Sequence, residues 1–274
     1  MDAAGRVRPH ARALGRPRRH IGAGPVDGSA AGEHDDGRRR VNLLKEWLVL
    51  PPGRVNHVAF GTFCHVAAAL RDTGLRRWTG PFDWIFSTPG LLADCLEDDF
   101  ARLLDPAELT SVPPEGLTNG ARRQCRHPFY EERHGLPTIF NHHDPAGNAG
   151  DMRALHRAVR RLRLALGTDR RNQLYMMSER PWDEADLERL AALVAARPSR
   201  DELIVITAVV AGERGWSERV RELAGLPVRD VELRVGGRSR GTGFPDPADD
   251  AVLRRALVEL AGPAAVNASR HRSG

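Results

Sequence analysis

Leu203-Ile204-Val205-Ile206-Thr207-Ala208-Val209-Val210 is the stretch on which the fold turns. A short run this apolar suits a strand covered on both faces rather than one with a wet side. Such a strand needs helices above and below the sheet, and its surroundings supply them. Glu184 to Ala196 precedes it with helical spacing, and Leu253, Ala256, Leu257 and Leu260 form a helical stripe further on. Between these, Val231, Leu233 and Val235 alternate with Glu232 and Arg234, which predicts a strand with one exposed face.

The same alternation continues toward the amino terminus. Gln173 to Met177 reads as a strand, and Met152, Leu155, Val159, Leu162 and Leu166 mark a long amphipathic helix before it. Thr138 to Asn141 reads as a further short strand. Pro89 suits the first turn of a helix carried by Leu92, Leu96, Phe100 and Leu103. Cys64 to Thr73 is a helix with Phe63, Ala67 and Leu70 on one face, and Gly74 stops it. His57 to Phe60 is the first strand, ended by Gly61. Strands separated by helices predict an α/β fold: a single domain over 54–262, with a mostly parallel sheet and helices on both faces. The Arg/Gly/Ala-rich stretch 1–45 and the tail 263–274 lack apolar periodicity and are expected to be disordered.

Composition narrows the function. The net charge is +5, but residues 1–40 carry nine arginines against five acids, so the domain itself is close to neutral. That argues against a nucleic-acid partner. Lys45 is the only lysine, a skew that points to coding bias more than to phosphate recognition. No apolar run approaches the ~20 residues of a membrane span. Three cysteines, Cys64, Cys95 and Cys125, form no paired framework and fit a reducing, cytoplasmic setting. No Walker or Gly-x-Gly-x-x-Gly string follows a strand, so no cofactor is expected. Cys125 and His127, with His134, His142 or His143, match no strong zinc spacing, so no metal is assigned. Arg153, Arg157, Arg160, Arg161 and Arg163 are expected to form a solvated helix face.

Ligands of an open parallel sheet bind beyond the carboxyl ends of its strands. Cys64 follows the first strand, and His142, His143 and Asp144 follow the strand ending at Asn141. If both strands belong to one sheet, thiol and imidazoles meet at one edge. The start of a helix also favours a thiolate at Cys64. Ten of the fifteen aromatic residues and all three cysteines lie between Asn56 and Asp144, which concentrates the expected chemistry there.

The motifs in that span carry a resemblance. Gly61-Thr62-Phe63-Cys64, Gly74-Leu75-Arg76, Gly80-Pro81-Phe82-Asp83-Trp84-Ile85-Phe86-Ser87, Glu97-Asp98-Asp99-Phe100 and Phe140-Asn141-His142-His143-Asp144 follow in order. The chain resembles an uncharacterised bacterial family assigned to the papain-like cysteine peptidases, over roughly residues 56–166. The resemblance implies Cys64 as nucleophile and His143 as base, with Asp144 or Asp83 orienting the imidazole. The leading expectation is therefore a cysteine-dependent hydrolase acting on a peptide, amide or glycan-linked small substrate. The alternative is a carbohydrate- or nucleotide-binding module, with Pro81 to Trp84 as recognition loop and Trp78 and Trp84 as stacking surfaces. A metal-dependent hydrolase using His142, His143 and Asp144 is third.

Overall fold

The computed structural model describes residues 55–118 and 120–262. The extensions expected at 1–45 and 263–274 lie outside these residues. Strand β1 (Val55–Ala59) leads into helix α1 (Cys64–Asp72), and α2 spans Pro89–Glu97. A largely irregular region follows, holding β2 (Thr110–Ser111), β3 (Cys125–Arg126) and α3 (Pro128–His134). The remainder is regular: α4 (Ala149–Leu166), β4 (Arg171–Ser178), α5 (Glu184–Ala195), β5 (Arg200–Val210), β6 (Gly215–Leu223), β7 (Leu226–Val235) and α6 (Pro247–Ala261).

The main sheet has the order β1-β4-β5-β7-β6; β1, β4, β5 and β7 run parallel, and β6 is antiparallel to β7. The register sets Val58, Leu174, Leu203 and Val228 in one row across the four parallel strands. That row packs against Leu91 and Leu92 of α2, Val159 and Leu162 of α4, and Leu187 and Leu190 of α5. The opposite face presents Tyr175, Ile204, Ile206 and Val231 to Val66 of α1 and to Leu253 and Leu257 of α6. This is the mostly parallel α/β architecture expected from the sequence. The unbroken apolarity of β5 follows from it, because Leu203 and Ile204 point to opposite faces and both are wholly buried. No described helix is long and apolar enough to cross a membrane.

Helix starts follow local chemistry. Thr88 accepts the Leu91 N–H ahead of Pro89, Asn148 accepts the Gly150 and Asp151 N–H groups at α4, and Asp246 caps α6. A polar cluster is buried within the sheet. His57 on β1 meets the Tyr175 hydroxyl at 3.1 Å, and that hydroxyl donates to Gln173 Oε1. The hydroxyl proton being spent there, His57 Nδ1 is the donor to Tyr175.

Two expectations are corrected. Thr138–Asn141 is not a strand of the sheet: only Phe140 pairs, antiparallel, with Cys125 of the small ribbon. Ile139 and Phe140 are apolar because they fill the core beneath the irregular layer. Helix α2 stops at Glu97 although its stripe continues to Phe100 and Leu103. Asp99 and Phe100 adopt φ of +50° and +62°, and this turn still delivers the Phe100 ring to the core.

Candidate functional site

The carboxyl end of β1 is shaped by Gly61. Its φ of +86° is left-handed, and a Cβ there would lie 1.8 Å from Ser87 Oγ, so only glycine fits. The 80–87 segment docks on both sides of this point. The Ser87 N–H donates to Thr62 O at 3.0 Å, and the Phe86 N–H donates to Ile139 O at 2.9 Å. One stretch thereby ties the end of β1 to the residues that lead into His142 and His143.

Inside that segment Asp83 is buried and ion-paired with the nearly buried Arg76. Burial pushes the Asp83 carboxyl up to about 7, against the pull of Arg76 and of the Gly80 amide. Arg76 also lies 5.1 Å from the Trp84 ring, so Asp83 positions the guanidinium that backs the tryptophan.

Cys64 is the first residue of α1 and follows the β1 turn, as the sequence predicts. Its thiol is buried, with 3% of the residue exposed. Burial, with the nearby Asp83 carboxylate adding to it, pushes the thiol up to about 11. The helix terminus therefore does not make Cys64 a thiolate at neutral pH: desolvation outweighs the few-tenths to ~1 kcal/mol that the macrodipole supplies. Among the described residues no hydrogen bond joins Cys64 to His142 or His143.

The imidazole next to Cys64 in the chain is His65, which the sequence reasoning did not single out. It is wholly buried, with Nδ1 2.9 Å from Ser239 Oγ and Nε2 2.9 Å from Asp250 Oδ1. This has the composition of a Ser-His-Asp triad, but its donors are spent. The Ser239 N–H goes to Glu179, and the Gly241 N–H goes to Ser239 Oγ itself. With both amides engaged, neither is free to meet an oxyanion, and the cluster fastens the 236–246 loop to α1.

His143 lies elsewhere, half-buried, with Nδ1 3.5 Å from Asp151 Oδ1. The carboxylate facing it is Asp151 of α4, not Asp144 or Asp83. Asp144 instead accepts from Ser111 Oγ and the Gly147 N–H, which closes the turn before α4. His142 is exposed and meets the Asn141 side chain at 3.3 Å. Asp151 was missed because it reads in sequence as a first-turn helix residue; only the fold turns it toward His143.

A cavity of about 350 Å³ opens beside His143 and Asp151. Gly80, Pro81, Trp84 and Ile85 form one wall, and Ala154, Arg157 and Arg161 of α4 form the other. Trp84 therefore lines a cleft, whereas Trp78 is packed in the core. Arg157 and Arg161, expected on a solvated face, border this space. Among the described residues no three His, Cys, Asp or Glu side chains converge as a metal site requires.

No match was found among curated proteins or among solved structures. Residues 55–197, just over half of the chain, match the family described as "Putative papain-like cysteine peptidase (DUF1796)". That span contains β1, the 80–87 segment, the cleft and α4, and the chain belongs to this family.

Proposed function

We propose that this protein is a hydrolase whose substrate occupies the cleft between the 80–87 segment and α4, with His143 as the proton-transfer group. The observation that carries this reading is the convergence of two distant motif segments on one cavity, where His143 faces Asp151. A carboxylate facing Nδ1 favours the tautomer with its proton there and leaves Nε2 to act on substrate. In amide hydrolysis His143 takes a proton from water as its oxygen attacks the carbonyl carbon. The proton then passes to the leaving nitrogen as the C–N bond breaks. The free state of all three cysteines suits a reducing compartment such as the cytoplasm.

A second reading keeps Cys64 as the nucleophile, as the family description implies. It is favoured by the place of Cys64 at the first turn of α1, beyond the carboxyl end of a parallel strand. Screening full-length protein against an amide and peptide library tests both. Loss of turnover in His143→Gln and Asp151→Asn, with Cys64→Ala active, supports the first. Loss in Cys64→Ala, with thiol-probe labelling that disappears in the same variant, supports the second. Turnover unaffected by His143→Gln rejects the first.

A further inference from the structure

We infer that the ligand of this cleft carries an oxyanion, a carboxylate or phosphate, held by Arg157 and Arg161, with its apolar part against Trp84. The inference rests on the cleft being the substrate site proposed above.

Arg157 and Arg161 are one helical turn apart on α4 and border the same cavity. The Arg161 Nε–H is buried and has no hydrogen-bond partner among the described residues. A buried guanidinium donor without an acceptor is costly, and it leaves the charge of Arg161 unmatched beside the cavity. Among the described residues neither arginine forms an ion pair. The cleft's acid does not offset them, because Asp151 is already engaged by Arg123 Nε at 3.0 Å and by the Asp144 N–H at 2.8 Å. The cavity is thus left with uncompensated positive charge on one wall. The opposite wall is apolar and aromatic: Pro81, Ile85 and Trp84, the last backed by Arg76. A volume of about 350 Å³ admits a small molecule or a chain end rather than a folded partner. Paired guanidinium groups beside a tryptophan suit a compact anion joined to a flat or apolar body.

The test titrates phenyl phosphate, benzoate and neutral benzyl alcohol into the full chain, followed by calorimetry and tryptophan fluorescence. At least one anion should saturate, and benzyl alcohol should bind at least about tenfold more weakly. The preferred anion identifies phosphate or carboxylate as the group read. Arg161→Gln and Arg157→Gln should each weaken the anion about tenfold or more and leave benzyl alcohol unchanged. Arg157 is exposed, so its variant carries the test where Arg161→Gln fails to fold. Equal binding of benzyl alcohol, no saturable anion binding, or unchanged anion affinity in the double variant overturns the inference. The two proposals fail separately. Turnover unchanged in His143→Gln removes the hydrolytic role and leaves the anion site standing. His143-dependent turnover that is indifferent to substrate charge does the reverse.

Discussion

Ser87 Oγ occupies the space into which a side chain on Gly61 would project, 1.8 Å from where its Cβ would stand. The hydroxyl itself is buried and has no hydrogen-bond partner among the described residues. Gly61 and Ser87 therefore meet by shape rather than by polarity, and this contact seats the 80–87 segment on the end of β1. Gly61→Ala should cost at least about 3 kcal/mol, from the left-handed φ and the overlap together. Ser87→Gly should recover only the overlap. Ser87→Ala alone should change stability by less than about 1 kcal/mol, because no hydrogen bond is lost. Urea unfolding of the four proteins checks this, and a Ser87→Ala penalty as large as that of Gly61→Ala would refute it.

Two buried groups give the stability opposite pH dependences. His57 is lowered from 6.5 to about 4, by burial foremost and then by the charge of Arg77. Its contribution is present above 6.5 and is lost as pH falls through 4, at most about 3 kcal/mol. Asp83 is raised from 3.8 to about 7, so its contribution is present below 3.8 and is lost as pH rises through 7. The two partly cancel in the wild type. His57→Gln should therefore make the protein less sensitive to acid between pH 6.5 and 4, and Asp83→Asn should make it more stable relative to wild type toward pH 7 than at pH 4. Denaturation midpoints of the three proteins across that range read both slopes.

The His65 cluster should act as a clasp. His65→Ala leaves Ser239 without its imidazole partner and removes one of the two hydrogen bonds that Asp250 Oδ1 accepts among the described residues, the other coming from the Phe244 N–H. A loss of about 2–3 kcal/mol is expected. Amide exchange should rise in residues 236–246 and stay unchanged in β1. Uniform exchange across the domain would show that the cluster does not fasten that loop in particular.

Cys64 should be a slow thiol in the native state. With burial holding it near 11, labelling by a small alkylating probe should rise about tenfold per pH unit between pH 7 and 10. Fast labelling at pH 7 that is lost in Cys64→Ala would mean that the thiol is far more ionised than its surroundings imply.

The layers of the domain were legible in the sequence wherever one physical cause dominated. Leu203 to Val210 is apolar throughout because both its faces are covered, and α4 shows its stripe because only one side is. Strand β6 escaped notice because it is solvent-washed: Ser217 to Val220 are all exposed. Its hairpin turn also lacks the usual Asn-Gly signal. Ala224 and Gly225 take φ of +49° and +81°, and alanine gives no hint of that. The site was legible in its parts but not in its pairing. His143 could be named from sequence, yet its carboxylate neighbour comes from eight positions on, and the wall it faces from some sixty positions back. The strand inferred at Thr138–Asn141 had suggested a shared edge with Cys64, and a four-residue apolar stretch cannot distinguish a sheet strand from core filling.

Among the described residues strand β6 bonds to β7 on one flank only, and along its other flank main-chain amides and carbonyls have no strand partner. Such a rim is a template on which identical chains can add end upon end. Here Glu218, Arg219, Arg221 and Glu222 stand along it, with only Val220 strongly apolar among the exposed positions. Stacking another copy would strip water from four formal charges, so the molecule guards its own perimeter against fibrous growth.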